Sequence, residues 1–253
     1  MSLPLLRPAW VTPPGVGAAM SLREGGVSEG IYASLNLGVA VGDDAETVVE
    51  NRARFGAALG ARPVWLRQVH GVNVLHLTAE DGVATDDPAD AAWTDEPGLA
   101  CTVQVADCLP VLFALNDGRA VAAAHAGWRG LAAGVLEATV DALCRGAGAR
   151  PADVQAWLGP CIGPRQFEVG ADVLRAFGQD RRAEMPRFVR RERPDGSTRW
   201  LADLQGLAQD RLAAAGVGAV TVTPACTVED ASAFFSFRRD GVTGRMAAAI
   251  WRL

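Results

Sequence analysis

Two apolar runs with only a turn between them fix the middle of this chain. Val111 to Leu115 is the first run and Arg119 to Ala124 the second; Asn116-Asp117-Gly118 between them is a turn sequence. So short a connection predicts a β-hairpin. Cys108 precedes the first run and His125 follows the second, 17 residues later. A hairpin therefore returns His125 to the neighbourhood of Cys108, at element ends where side chains face a cleft. Gly127 and Gly130 follow and open a helix near Leu131.

The remaining elements are predicted from pattern. Val16 to Leu22 reads as a first strand, with a turn at Gly25-Gly26. The segment from Tyr32 to Gly38 has no periodicity and reads as a loop. Asp43-Asp44-Ala45-Glu46 resembles a capping box, and Thr47 to Leu59 reads as a helix stopped by Gly60. Val64 to Val69 and Val72 to Leu77 are β-rich, which predicts strand, bulge and strand with His70 at the kink. Glu80 to Pro88 is acidic surface. Leu99 to Val105 is an apolar strand leading into Asp107-Cys108. Leu131 to Cys144 is an amphipathic helix closed by Arg145-Gly146. Val154 to Leu158 is a strand ending in a Gly-Pro turn, and Val169 to Phe177 is helical. Asp180 to Thr198 is a charged excursion. Leu201 to Ala215 is a helix, and strands follow at Ala219 to Val222 and Met246 to Trp251.

A chain of 253 residues, 49% of them hydrophobic and 21% charged, has room for a large core. Its net charge of −5 speaks against bulk binding to nucleic acid or to an anionic membrane. No apolar run approaches the ~20 residues of a membrane helix. Met1-Ser2-Leu3-Pro4 lacks the basic-then-apolar pattern of a signal peptide. The five cysteines are odd in number and scattered, which gives no disulfide framework and predicts a reducing cytoplasm. No composition shift marks a linker, so residues 1–253 are expected to form one mixed α/β domain.

Only three histidines occur: His70, His76 and His125. His76 sits on an alternating strand and reads as an ordinary strand histidine. His70, Cys108 and His125 together make a set of two nitrogens and one sulfur. Three protein ligands with a fourth position open is the arrangement of a catalytic zinc, where a structural zinc is closed by four. A second reading needs no metal: Cys108 as nucleophile and His125 as its base. In both readings Cys101 and Cys144 are core residues, and Cys161, in its Gly-Pro turn, either lines a pocket or is buried. Arg67, Arg129, Arg238, Arg239 and Arg245 are placed to hold an anion, or else are solvated. No GxxxxGK[ST] loop is present.

Seven segments give the chain a resemblance to a known family. They are Ser34-Leu-Asn-Leu-Gly38, Arg67-Gln-Val-His-Gly71, Ala106-Asp-Cys-Leu-Pro110, Ala124-His-Ala-Gly-Trp-Arg-Gly130, Gly159-Pro-Cys-Ile-Gly163, Phe167-Glu-Val169, and the stretch from Phe234 to Arg245. In this order they resemble the laccase-domain, YfiH-type family, once named polyphenol oxidases and now regarded as purine nucleoside phosphorylases. Phe167 and Phe237 stand where tyrosine is frequent in that family.

The resemblance implies that His70, Cys108 and His125 are zinc ligands, with copper also associated with the family. It implies an α+β fold, a four-layer α/β/β/α sandwich with the site at one edge of the sheets. It implies phosphate-dependent cleavage of adenosine, inosine, guanosine and 5′-methylthioadenosine, with adenosine deamination as a second activity. Cys108 and His125 would then be catalytic, with Asp107 or Glu168 carrying the proton to the leaving base. In the segment from Ser34 to Gly38, an asparagine contact to substrate is expected at position 35. Arg67, Gln68, Arg129, Cys161, Arg239 and Arg245 are expected to contact substrate as well. The expected partners are purine nucleosides and phosphate, with no nucleic acid and no membrane; a monomer or small homo-oligomer is expected. Three histidines are far too few for a multicopper centre, which counts against a phenol oxidase. A metal-free Cys-His hydrolase and a non-catalytic binding protein are the competing functions.

Overall fold

A computed structural model describes residues 3–178 and 186–253. The strands in chain order are β1 (Leu5–Leu6), β2 (Val16–Ser21), β3 (Arg62–Arg67), β4 (Val74–His76), β5 (Ala84–Pro88), β6 (Ala91–Thr94), β7 (Leu99–Val105), β8 (Leu109–Leu115), β9 (Val121–Ala126), β10 (Val154–Leu158), β11 (Glu168–Val169), β12 (Phe188–Glu192), β13 (Thr198–Ala202), β14 (Ala219–Val222) and β15 (Met246–Arg252). The helices are α1 (Ala45–Leu59), α2 (Trp128–Ala133), α3 (Val135–Ala147), α4 (Ala171–Ala176), α5 (Leu204–Ala214) and α6 (Phe237–Asp240). One six-stranded sheet runs β1-β2-β15-β7-β3-β5, and a second runs β14-β10-β8-β9-β6-β4. β11, β13 and β12 form a small third sheet.

The period of two along the strands builds the layers. On β15, Met246, Ala248 and Ile250 point between the two large sheets, where they meet Leu112, Ala114 and Trp157 of the second sheet. Ala247, Ala249 and Trp251 alternate with them and pack with Phe55 and Leu59 of α1. On β8, Val111, Phe113 and Leu115 face outward to Leu136, Val140 and Leu143 of α3 and Leu207 of α5. The result is the expected α/β/β/α order. Strands with both faces covered read as continuous apolar runs, which is why β7, β8 and β9 are legible in the sequence.

The connections matter most for function. Between β3 and β8 the chain crosses from the first sheet to the second three times: from β3 to β4, from β5 to β6, and from β7 to β8. His70, Asp90 and Cys108 each lie in one of these crossings. The hairpin β8–β9 then pairs Pro110 with His125 and Leu109 with Ala126, so His125 returns beside Cys108.

Several elements differ from the sequence-based expectation. The runs around His70 are not one bulged strand: β3 and β4 belong to different sheets, and the kink is a crossing. Part of the acidic stretch before Pro88 is an edge strand, β5, paired in parallel with β3. The helix expected from Leu131 is two helices, broken at Gly134 with φ +102°. Val169 pairs in β11, and α4 starts only at Ala171. The helix expected from Leu201 begins at Leu204, because Asp203 caps it by accepting from the Gly206 amide. Of the charged excursion, residues 180–185 lie outside the described residues, and Phe188–Glu192 is a strand.

Gly146 does not end its helix either. It lies inside α3, because a Cβ there would come 2.1 Å from the Trp93 ring. Alanine ordinarily improves a helix interior by about 0.5–1 kcal/mol over glycine. Here the overpacking of a tight contact outweighs that gain. Gly146→Ala is expected to lower stability by about 1–3 kcal/mol, read from the midpoint of urea unfolding.

Candidate metal centre

The site is built on a buried carboxylate. Asp90 is fully buried in the crossing before β6. Its Oδ2 accepts the amides of Val69 at 3.1 Å and Gly71 at 2.6 Å, and its Oδ1 accepts the His70 amide at 2.9 Å. Three successive amides converge on one carboxylate, and His70 adopts φ +61° to allow it. Oδ1 also lies 2.8 Å from His125 Nδ1. Burial works to raise the Asp90 carboxyl, but the His125 bond and these amides outweigh it and hold it below its ordinary range. With Nδ1 engaged, His125 presents Nε2 to the cleft, as in the carboxylate–histidine–metal arrangement.

Cys108 is the third member. Its Sγ lies 3.8 Å from His70 Nε2, and donor atoms of His70, Cys108 and His125 all lie within 4.8 Å of one another. The two imidazoles meet edge to face with centroids 4.8 Å apart. Tetrahedral zinc with ordinary bond lengths requires donors roughly 3.3–3.6 Å apart, so a small inward movement closes the set around an ion. Gly127 leaves the space: a Cβ there would come 2.8 Å from His70 Cδ2 and 3.0 Å from Cys108 Sγ. Burial would raise the Cys108 thiol, yet His125 and then His70 bring it down to about 6. Burial would lower His125, yet Cys108 and Asp90 raise it to about 9. Each of the two thus favours the charged form of the other, and a metal ion competes with protons for both donors. The three donors fit a single ion with one side open.

That side faces a cavity of about 620 Å³. Its walls include Arg52, Arg67 and Arg245, together with Gln68, Gln104 and Phe237. Arg52 lies 4.0 Å over the Trp65 ring, and burial brings its guanidinium down to about 10. Among the described residues none of these three arginines is ion-paired, and no carboxylate lines the cavity. Gln68 closes the wall from the side: its Nε2 donates to the Gln104 carbonyl at 2.9 Å and its Oε1 accepts the Gln104 amide at 2.7 Å.

Other residues singled out in the sequence lie elsewhere. Both Asp107 oxygens are spent, accepting the Thr227 hydroxyl and the Arg238 amide at 2.6 Å each. Asp107 anchors the Cys108 loop, with φ +92°, and does not line the cavity. The Glu168 carboxylate is held by Arg193 and Arg191, again off the cavity wall. Arg239 is engaged by Asp240 and three carbonyls, Arg129 is exposed and stacked on Trp128, and Cys161 is buried in the core. His76 is the ordinary strand residue expected, stacked on Trp93 at 3.9 Å.

The asparagine contact expected at position 35 is corrected. That position is Leu35, an apolar side chain with no polar group to offer a substrate. It is fully buried and packs in the layer that holds Phe55 and Leu59 of α1. The asparagine of the segment is the next residue, Asn36, and it too is off the cavity wall. Asn36 is buried and structural, its Oδ1 accepting the amides of Gly38 and Arg245 at 2.9 Å each.

Asp90 and Arg52 are not legible as functional in the sequence. The trace of Asp90 is a lone acid inside the apolar run Ala89 to Trp93. Arg52 sits on a helix, where an arginine reads as solvated.

Residues 17–253 match the family model described as multi-copper polyphenol oxidoreductase laccase. The chain belongs to this laccase-like family. Its curated relatives carry another description. It is 48% identical over 249 residues, 98% of each chain, to the protein named purine nucleoside phosphorylase YfiH of Escherichia coli. It is 48% identical over 246 residues, 97% of each, to purine nucleoside phosphorylase PA4543 of Pseudomonas aeruginosa. Among solved structures it is similar to a Neisseria meningitidis protein, with TM-score 0.87, 44% identity and 98% of each chain covered. It is also similar to YlmD of Geobacillus stearothermophilus, with TM-score 0.87, 34% identity, and 98% and 96% of the two chains covered. The family's description does not sit easily with this chain: two histidines that could hold an ion and a third stacked on Trp93 are too few for a cluster of several coppers.

Asp90→Asn removes the charge that orients His125 and gathers the His70 loop. Zinc affinity is expected to fall about 10–100-fold, measured by competition with a chromophoric chelator. His76→Ala is expected to leave it unchanged.

Proposed function

We propose that the chain is a zinc-dependent purine nucleoside phosphorylase that also deaminates adenosine. The observation that carries this reading is the cavity itself. A three-donor site opens onto a space whose walls hold, among the described residues, three guanidiniums bonded only to carbonyl and amide oxygens, with no ion pair, and no carboxylate. Such a wall suits phosphate, which accepts paired N–H donors from arginine. The names of the relatives supply the reaction class, and the substrates are adenosine, inosine, guanosine and 5′-methylthioadenosine.

In phosphorolysis a phosphate oxygen bonds to C1′ of the ribose as the bond from C1′ to the purine nitrogen breaks. Arg52, Arg67 and Arg245 hold the phosphate and offset its charge, and Phe237 offers an apolar face on the same wall. Because Asp107 and Glu168 are engaged elsewhere, the proton for the leaving base comes from phosphate or solvent. His70, Cys108 and His125 would hold a zinc ion, which would supply Lewis acidity and a water of lowered pKa, the chemistry that deamination at C6 of adenine requires.

Zinc is favoured over copper by the surroundings. A blue-copper centre adds a weak axial methionine or amide oxygen to the His2Cys set. No methionine is among the described residues of the cavity wall. The amide oxygens of Gln68 and Gln104 are already occupied, by the Gln104 amide and by Arg52.

The metal-free reading keeps one observation on its side, the Cys108 thiol brought down to about 6. It requires full activity under chelation and rapid alkylation of Cys108. Chromatography of adenosine reactions with and without phosphate, with zinc quantified, separates the two. Wild type is expected to carry about one zinc per chain and to release adenine and ribose 1-phosphate only when phosphate is present. Inosine is expected without it. Cys108→Ala is expected to lose zinc and to lower both rates at least about 100-fold, as loss of a metal site should. No purine turnover by zinc-loaded wild type would overturn the proposal.

A further inference from the structure

Two cysteines are backbone bridge partners beside the segment that carries Cys108. Cys161 and Cys226 are directly opposite in a parallel β-bridge between the Gly-Pro turn after β10 and the segment after β14. The bridge is closed by the Thr227 amide donating to the Cys161 carbonyl at 3.0 Å. Residues opposite each other in a bridge put their side chains on the same face, with Cα atoms about 4.8 Å apart. That separation falls inside the ~4.4–6.8 Å that a disulfide spans. Both thiols are free, Cys161 buried and Cys226 half-buried. The Gly163 amide donates to Cys226 Sγ at 3.2 Å, which turns this sulfur toward the Cys161 turn.

We propose that Cys161 and Cys226 are a redox-sensitive dithiol that hydrogen peroxide closes to a cross-strand disulfide. The half-buried Cys226 reacts first: its thiolate attacks one peroxide oxygen, the O–O bond breaks, and the departing hydroxide leaves as water after taking a proton. The sulfenic acid formed is then attacked by the Cys161 sulfur. The S–S bond forms, the S–O bond breaks, and the thiol proton leaves with the hydroxyl as a second water. Two thiols lose two electrons and two protons in all, and one peroxide becomes two waters. Cys161 is buried away from solvent oxidants and lies opposite Cys226, so it is placed to act second, as the resolving partner.

The position gives the modification a consequence. The residue following each cysteine holds Asp107: the Ile162 amide donates to its carbonyl at 2.9 Å and the Thr227 hydroxyl to its carboxylate at 2.6 Å. Asp107 precedes Cys108. Closing the disulfide locks to each other the two arms on which the Cys108 loop rests.

The test is peptide mapping of the full, zinc-loaded chain after peroxide, with free thiols alkylated under denaturing conditions. Two of the five thiols should disappear. One pair of tryptic peptides, carrying Cys161 and Cys226, should appear linked, and dithiothreitol should restore both. Cys161→Ser and Cys226→Ser should each abolish the link, and either alone suffices if the other does not fold. Oxidation confined to Cys108, a link involving Cys108, or both thiols still alkylatable would overturn the proposal.

Discussion

The site depends on a charge taken out of water. An ionised carboxylate in a protein interior is costly unless donors replace its hydration. Asp90 receives four: three consecutive amides and one imidazole nitrogen. Meeting that demand bends the chain at His70 into a left-handed conformation and fixes the orientation of the His125 ring. A group that touches neither cavity nor substrate thus decides where two of the three donors point.

The third donor is placed by a parallel device. Asp107 also takes a left-handed conformation, and its carboxylate ties the segments around Thr227 and Arg238 to the loop that carries Cys108. Two aspartates in two crossings each spend their charge on main-chain, hydroxyl or imidazole donors, and neither lies on the cavity wall, which among the described residues carries no carboxylate. The guanidiniums of the wall are held by carbonyl and amide oxygens rather than by carboxylates, so their charge is not offset by an ion pair.

The hairpin, the strands of the inner layers and the donor set are all legible in the sequence. They rest on local rules: turn residues between apolar runs, continuous hydrophobicity where both faces are covered, and scarce histidines beside glycines. The crossings are not legible, because β3 and β4 have the same local pattern whether they pair in one sheet or two. Gly146 misleads for a similar reason: a glycine near a helix end signals a stop, unless something distant, here Trp93, needs the space. Glu168 reads as an acid near the site, and only the fold reveals the arginines that hold it. The Ser34 to Gly38 loop offers a polar residue that looks available, yet Leu35 and Asn36 are both drawn inside, one by packing and one by main-chain amides. Arg52 becomes meaningful only once Trp65 and the cavity are placed around it.

The three crossings have an effect on how the protein tolerates change. His70, Asp90 and Cys108 each hang from a span between the two large sheets, whereas His125 rides on the second sheet alone. The donor geometry therefore measures the offset of one sheet against the other. Constellations of this kind work only within about 0.5 Å of their productive arrangement. The interlayer residues, such as Val103, Leu112 and Trp157, accordingly act as distant adjustment screws. A change of side-chain volume there shifts the sheets and is felt at the His70, Cys108 and His125 cluster without any residue of the cavity being altered.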